Sequence, residues 1–466
     1  MTPVTSDVVN AGARRSVSGY TFRHLTQQVL GKCGRAGALG AALALSACNG
    51  LPTTELGSGF ASAASVSSES TSPESTAFES TAPQRVLSPI PLEMRVRPAQ
   101  LSLDTDYWLS ALKSTQNFQS RTSRYSLERL AGSGRVQDLS RHLNLQLTGV
   151  LAALRATGDR ALLEKVYVVM ERERATLADN DGDGYLDWLY LAANPNDNPG
   201  LHGTDKHVME EIMAHAIVAQ AAYAFRLNSN LDGKYSEAAS FWEDYLIDHY
   251  EAKWQGRTGE KGYPVIEKSL FHPYVNNTRY YHYMFRLTGT DAYRLERDRQ
   301  VEVIKRHLLP DDGAFVWTHA VNEYLGDRGG KMWWSYQPVG YAGESMSALA
   351  DLGLEGVLDE PTMRGIANTL SEKLLDGGSR NSFMAGDVGE VRPAIYYSPV
   401  LKRPVYIDSI SKGRGGTFYF GSRGYALLAP WDETGEVTGR AIAVHNENGV
   451  WPITAAGVLL AYHFSP

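Results

Sequence analysis

Four apolar, helix-like runs in this chain each end in a short polar turn and give way to a second helix-like run. The segments are LAALRATGDRALLEKV, AAYAFRLNSNLDGKYSEAASFW, YYHYMFRLTGTDAYRLERD and MSALADLGLEGVLDEPTMRGI, turning at Gly158, about Asn228, Gly289 and Gly353. Successive turns lie roughly 60 to 70 residues apart, and recurrence at a steady period marks a repeated supersecondary unit, here a helical hairpin. Stacked hairpins closed into a ring leave a cleft lined by equivalent helix starts. The fold expected is mainly α, an incomplete or complete (α/α)6–7 toroid. A small β-rich excursion near the C-terminus is read from AIYYSPV, RPVYIDSI and GTFYFGSRGYALLAPW, which are Tyr-rich, β-branched and broken by Gly and Pro. The apolar ITAAGVLLAYHF closes the chain as a last helix.

Length and composition suit this reading. A toroid can use most of 466 residues as one domain, and 43% hydrophobic residues with 25 Tyr and 9 Trp give a large aromatic surface. The net charge of −7 and the lack of a basic block argue against nucleic acid. An acidic chain still binds an anionic polymer where its Arg and Lys gather in one cleft.

Residues 1–84 read as targeting sequence rather than fold. Arg14, Arg15, Arg23, Lys32 and Arg35 precede AGALGAALALSA, a run too short to span a bilayer, and the run stops at Cys48. Leu45-Ser46-Ala47-Cys48 resembles a bacterial lipobox, which implies residues 1–48 as signal peptide and Cys48 as the lipidated N-terminus. Residues 49–84 are Ser/Thr/Glu/Pro-rich and are expected to be a disordered tether, leaving 85–466 as the folded domain. Asn49 fits the outer-membrane sorting rule, so an outer-membrane lipoprotein is expected. Cys33 and Cys48 are the only cysteines, so the mature domain has no thiol chemistry beyond the anchor.

Three polar constellations stand out. Asp179, Asp181, Asp183 and Asp187 with Gly184 follow the front of an EF-hand-type loop, with Tyr185 offering a backbone carbonyl, so a structural Ca²⁺ is the cofactor expected. Tyr190 replaces the usual closing Glu, and an Asp/Gly-rich solvated turn is the plainer alternative. His207, Glu211 and His215 share one helical face, as metal ligands or as a polar stripe that leaves His215 for proton transfer. The run from His272 to Tyr283 crowds more amide, imidazole and phenol groups onto a helix start than a core needs. Counting twelve residues back from the turns puts Gln146, His215, Asn277 and Tyr341 at similar heights, with Arg279 and Tyr281 close by and Tyr336 competing with Tyr341. No organic cofactor is implied.

The segment NNTRYYHYMFRLTGTDAY resembles the Asn-Asn-His-x-Tyr-Trp inner-helix motif of the α/α-toroid polysaccharide lyases, especially the alginate lyase-like families. That resemblance implies β-elimination on a uronate-containing polysaccharide. Asn277 and Arg279 would neutralise the carboxylate, a His or Tyr would take the C5 proton, and Tyr341 or Tyr281 would protonate the leaving oxygen. His272, Tyr280, Arg328, Trp333, Trp334 and Tyr336 are the candidate substrate contacts. Thr278 stands where the family keeps its motif His. Either His215 or His272 supplies the base, or a Tyr serves as both base and acid. The rival readings are an inverting hydrolase using two of Glu211, Asp327 and Glu344, and a lipoprotein that binds polysaccharide without acting on it.

Overall fold

The computed structural model describes residues 105–114, 127–191, 200–258, 270–319, 321, 337, 339–375, 396–398, 403–405, 420, 423–448 and 452–464. The signal peptide, the tether and Cys48 lie outside the described residues. What is described is mainly helical. After α1 (Thr105–Lys113) come four hairpins: α2 (Asn144–Thr157) with α3 (Arg160–Arg174), α4 (Val208–Leu227) with α5 (Gly233–Tyr245), α6 (Phe271–Thr288) with α7 (Asp291–His307), and α8 (Val339–Leu354) with α9 (Glu360–Asn368). Two more helices, α10 (Glu436–Asn448) and α11 (Pro452–Phe464), end the fold. None of the helices described is long and apolar enough to cross a membrane.

The turns use the chemistry that the sequence carries. Gly158 and Gly289 cap α2 and α6 in the left-handed conformation, at φ of 67° and 74°, where a side chain would be strained. The following helices start on side-chain caps: Asp159 accepts from the Ala161 amide, Asp232 from Lys234 and Asp359 from Thr362. The fourth turn differs from expectation. Gly353 lies inside α8, where a Cβ would come within 2.7 Å of Met363, so it is there to let α9 pack. The cap is Gly356 at φ 69°, with Val357 N donating to Leu352 O and Gly356 N to Gly353 O, a Schellman motif. Twelve residues before this glycine stands Glu344 rather than Tyr341.

Each hairpin has an inner and an outer helix. Every residue of α4 from Glu210 to Phe225 is buried, as is every residue of α6 from Phe271 to Met284, whereas α3, α5 and α7 keep an exposed face. Helix α4 packs on both α2 and α6, α6 on α8, and α8 on the 3-10 segment Gly424–Trp431; α11 packs on that segment and back on α2. Small residues set these distances. A Cβ at Gly424 would lie 2.3 Å from Ser347 Cβ, and one at Gly457 would lie 2.2 Å from the Ala426 carbonyl oxygen.

The C-terminal excursion is β-structured only in part. Strands β3 (Tyr396–Ser398) and β4 (Arg403–Val405) pair antiparallel, but the apolar end of GTFYFGSRGYALLAPW is the 3-10 segment, buried on all sides against helices rather than paired in a sheet. An additional hairpin follows α7: β1 (Leu309–Asp311) and β2 (Ala314–Val316) turn at Asp312-Gly313, both with positive φ.

Between α6 and α7, Glu251 accepts hydrogen bonds from the hydroxyls of Tyr280 at 2.5 Å and Tyr293 at 3.0 Å. Burial nevertheless pushes its carboxyl up to about 7. A carboxyl raised in the folded state binds its proton more tightly there than in the unfolded chain, so stability falls as pH rises through about 4.5 to 7 and levels off above. Glu251→Gln keeps an acceptor without the charge. It is expected to flatten this part of the pH dependence and to stabilise the protein at pH 8 by on the order of 2 kcal/mol, read from urea unfolding at pH 5 and pH 8.

Candidate functional site

The first turn of α6 needs acceptors for its amides, and the segment after β2 supplies one: Phe271 N donates to the His319 carbonyl at 2.9 Å. The His307 ring meets the Thr318 carbonyl at 3.1 Å, and Gln337 N donates to the Trp317 carbonyl. These bonds bring the His319 ring against His272, with centroids 5.8 Å apart and planes nearly parallel. Tyr341, in the first turn of α8, completes the group, its ring 4.7 Å from that of His272 and 5.1 Å from that of His319. His272 is fully buried, yet neither of its ring nitrogens has a hydrogen-bond partner among the described residues. Nδ1 of His319 is likewise buried without a hydrogen-bond partner among the described residues. Burial, reinforced by nearby cations, holds His272 well below the usual histidine range, so it is a neutral base at pH 7.

Two arginines and two glutamates surround the rings. Arg141 lies in a π-helical turn (Leu139–Leu143) that leads into α2, the kind of bulge that re-aims side chains at functional sites. Its Nε donates to Glu210 Oε1 at 2.7 Å, its Nη1 lies 3.7 Å from Glu344 Oε1, and its guanidinium stands 5.9 Å over the Tyr341 ring. Glu210 also accepts from the Ser140 hydroxyl. Arg423, just before the 3-10 segment, donates to Glu344 Oε1. It reaches α8 because residue 343 is glycine, where a Cβ would lie 2.4 Å from the Arg423 Cβ. Glu344 Oε2 has no hydrogen-bond partner among the described residues and lies 3.9 Å from His272 Nε2.

Of the residues singled out from the sequence, His272, Tyr341 and Glu344 meet here and others do not. Arg279 is buried on the inner layer, donating to Asn144 Oδ1 at 2.7 Å and to the Thr148 hydroxyl at 3.0 Å, so it joins α6 to α2. Asn144 also donates to the Met213 carbonyl and to Asn276 Oδ1. Asn277 is buried beside it, its Nδ2 unpartnered among the described residues. His215 faces the outer layer: it stacks on Tyr250 at 3.7 Å and meets the Tyr245 hydroxyl at 3.0 Å, and burial holds it down to about 4. Shared height on neighbouring helices did not mean a shared face. Tyr280 and Tyr281 also point outward, into the aromatic layer of Tyr250 and Tyr293. Arg328, Trp333, Trp334, Tyr336 and Asp327 lie outside the described residues.

The acidic loop divides. Asp179, Asp181 and Asp183 converge, with an oxygen of each within 4.8 Å of the others. Arg257 Nη2 reaches Asp181 at 3.1 Å, Asp183 at 2.7 Å and Asp205 at 3.0 Å. Asp187 turns inward and pairs with the buried Lys253 ammonium, which Glu211 also accepts at 2.7 Å. Tyr185 lies with its hydroxyl towards Gly256. Nor do His207, Glu211 and His215 converge: His207 caps α4 and Glu211 serves Lys253 and Trp254. At the opposite end of the inner helices, Gln220, Tyr223, Tyr283, Asp351, Arg155 and Glu355 line a small cavity of about 30 Å³.

Sequence reasoning missed His319, Arg141, Arg423 and Asn144. Arg141 was within reach of it, because Arg141 and His272 both stand seventeen residues before their cap glycines, Gly158 and Gly289. Comparison of the chain with known protein families, with curated proteins and with solved structures finds no match.

Proposed function

We propose that this protein is a polysaccharide lyase that cleaves a uronic-acid-containing polysaccharide, of alginate or glucuronan type, by β-elimination. The observation that carries the reading is a buried, neutral His272 with no hydrogen-bond partner among the described residues, set against a partly exposed Tyr341 beneath Arg141. The C5 proton of a uronate is acidic only when its carboxylate is neutralised, and Arg141 beside Tyr341, with Arg423, would be the cations to meet that charge. In this scheme Tyr341 meets the sugar as a phenolate, favoured by the Arg141 cation and held against the neutral His272 ring. It takes the C5 proton; the electron pair forms the C4–C5 double bond; and Tyr341 gives that proton to the departing O4, which restores the phenolate.

An inverting hydrolase is the weaker reading. It needs one carboxylic acid and one free carboxylate on opposite sides of the bond, and both Glu210 and Glu344 are engaged by arginine. The architecture belongs to the same proposal: α11 packing back on α2 supports closure of the inner helices into an α/α toroid. So does placement as a lipid-anchored outer-membrane protein, which rests on Cys48 and its surroundings.

Incubation with a panel of uronate polysaccharides is expected to give ultraviolet absorbance from the new double bond. Tyr341→Phe and His272→Ala should each lower the rate about 10²–10⁴-fold with the helical circular dichroism unchanged. New reducing ends without absorbance would show a hydrolase, and near-normal rates in both variants would remove the assignment.

We also propose that Asp179, Asp181 and Asp183 hold a structural Ca²⁺, with hard oxygen ligands and Arg257 as the adjoining cation. Calcium should then raise the melting temperature and a chelator lower it, and Asp181→Asn should abolish the difference. A melting temperature indifferent to both would refute the ion.

A further inference from the structure

A uronate reaching the cluster would find its arginines already holding a carboxylate. Glu344 is 3% exposed, while the side chains of Arg141 and Arg423 keep 19% and 16% exposure above it. One Glu344 oxygen takes Arg423 and faces Arg141, and the other ends 3.9 Å from His272 Nε2 without a hydrogen-bond partner among the described residues. A carboxylate kept only to brace two arginines would use both of its oxygens, because a buried acceptor left open costs free energy. Arg141 does not depend on it, being held through Nε by Glu210. For Arg423, packed closely against Gly343, Glu344 is the carboxylate partner that a bound uronate would replace.

The charges of the cluster close to zero. Arg141 and Arg423 balance Glu210 and Glu344, and His272 and His319 are both held neutral. An added anion therefore gains little unless one internal carboxylate lets go, and Glu344 is the one with a loose contact and an open oxygen.

We propose that Glu344 is the resting occupant of the carboxylate subsite, and that a uronate binds by taking Arg423 and the Nη1 side of Arg141 from it. The proposal rests on the reading of the cluster as a uronate site. Glu344 then sets selectivity: a neutral sugar cannot displace it, and an anion binds with the cost of displacing it subtracted from its affinity.

Binding is read without turnover, so the test stands apart from the lyase assay. Calorimetric titration of the full chain with sodium glucuronate, and with glucose as the neutral control, compares wild type with Glu344→Gln. The variant is expected to bind glucuronate on the order of tenfold more tightly, with glucose unchanged. Glu344→Asp keeps the charge but withdraws it from Arg423, and it should tighten binding by less. Should the Gln variant fail to fold, the Asp variant decides. Equal or weaker glucuronate binding in a folded variant, or no binding by any of the proteins, overturns the proposal. Tighter binding without any lyase activity would keep the subsite and discard the elimination chemistry.

Discussion

The hydrogen bonds from Arg279 to Asn144 and Thr148 join two helices at a depth that water does not reach. Helices α4 and α6 are buried along most of their length, so the polar groups they carry find partners on neighbouring elements rather than in water. That requirement organises the protein. Gln220 and Tyr283 both donate to Asp351, tying α4, α6 and α8 together. Asn144 serves α4 and α6 at once, through the Met213 carbonyl and Asn276. Apolar packing alone would let such helices slide or rotate; directional bonds between them fix the register, which is how His272 comes to face the first turn of α8.

The site is where that pairing is left open. Elsewhere on α6 most buried polar groups are met: Thr278 by Gln300, Tyr280 by Glu251, Tyr283 by Asp351. At the helix start both nitrogens of His272, Nδ1 of His319 and one carboxylate oxygen of Glu344 lack hydrogen-bond partners among the described residues. Open polar atoms gathered at one level, next to two arginines, form a preorganised set that a substrate can complete.

Much of the scaffold was legible because turns have strict local chemistry. Gly158 and Gly289 could be read as caps since few other residues accept positive φ. Gly353 misled because glycine also serves close packing, and a single sequence does not separate the two uses; the true cap, Gly356, lies three residues on. The residue level of the site was therefore only partly legible. Tyr341 belongs with His272, not with Asn277, and His215 turned outward because height along a helix says nothing about facing. His319 and Arg423 come from connecting segments whose course is set by tertiary bonds, so no periodicity announces them. The segment Gly424–Trp431 read by composition as a strand or an ordered loop excursion, and it is a buried 3-10 helix packed against its neighbours instead.

The three glycine caps share one further property. At Gly158, Gly289 and Gly356 nothing lies within 4 Å of where a side chain would begin. The hairpin tips therefore face open space, while what binds the hairpins to one another lies below them. Connectivity and packing are separable at these points. The chain could be opened at a tip, or lengthened there by inserted residues, without a contact being withdrawn from the inner layer. Such an architecture lets a lineage rearrange its loops and even its ends while the His272 cluster keeps its shape.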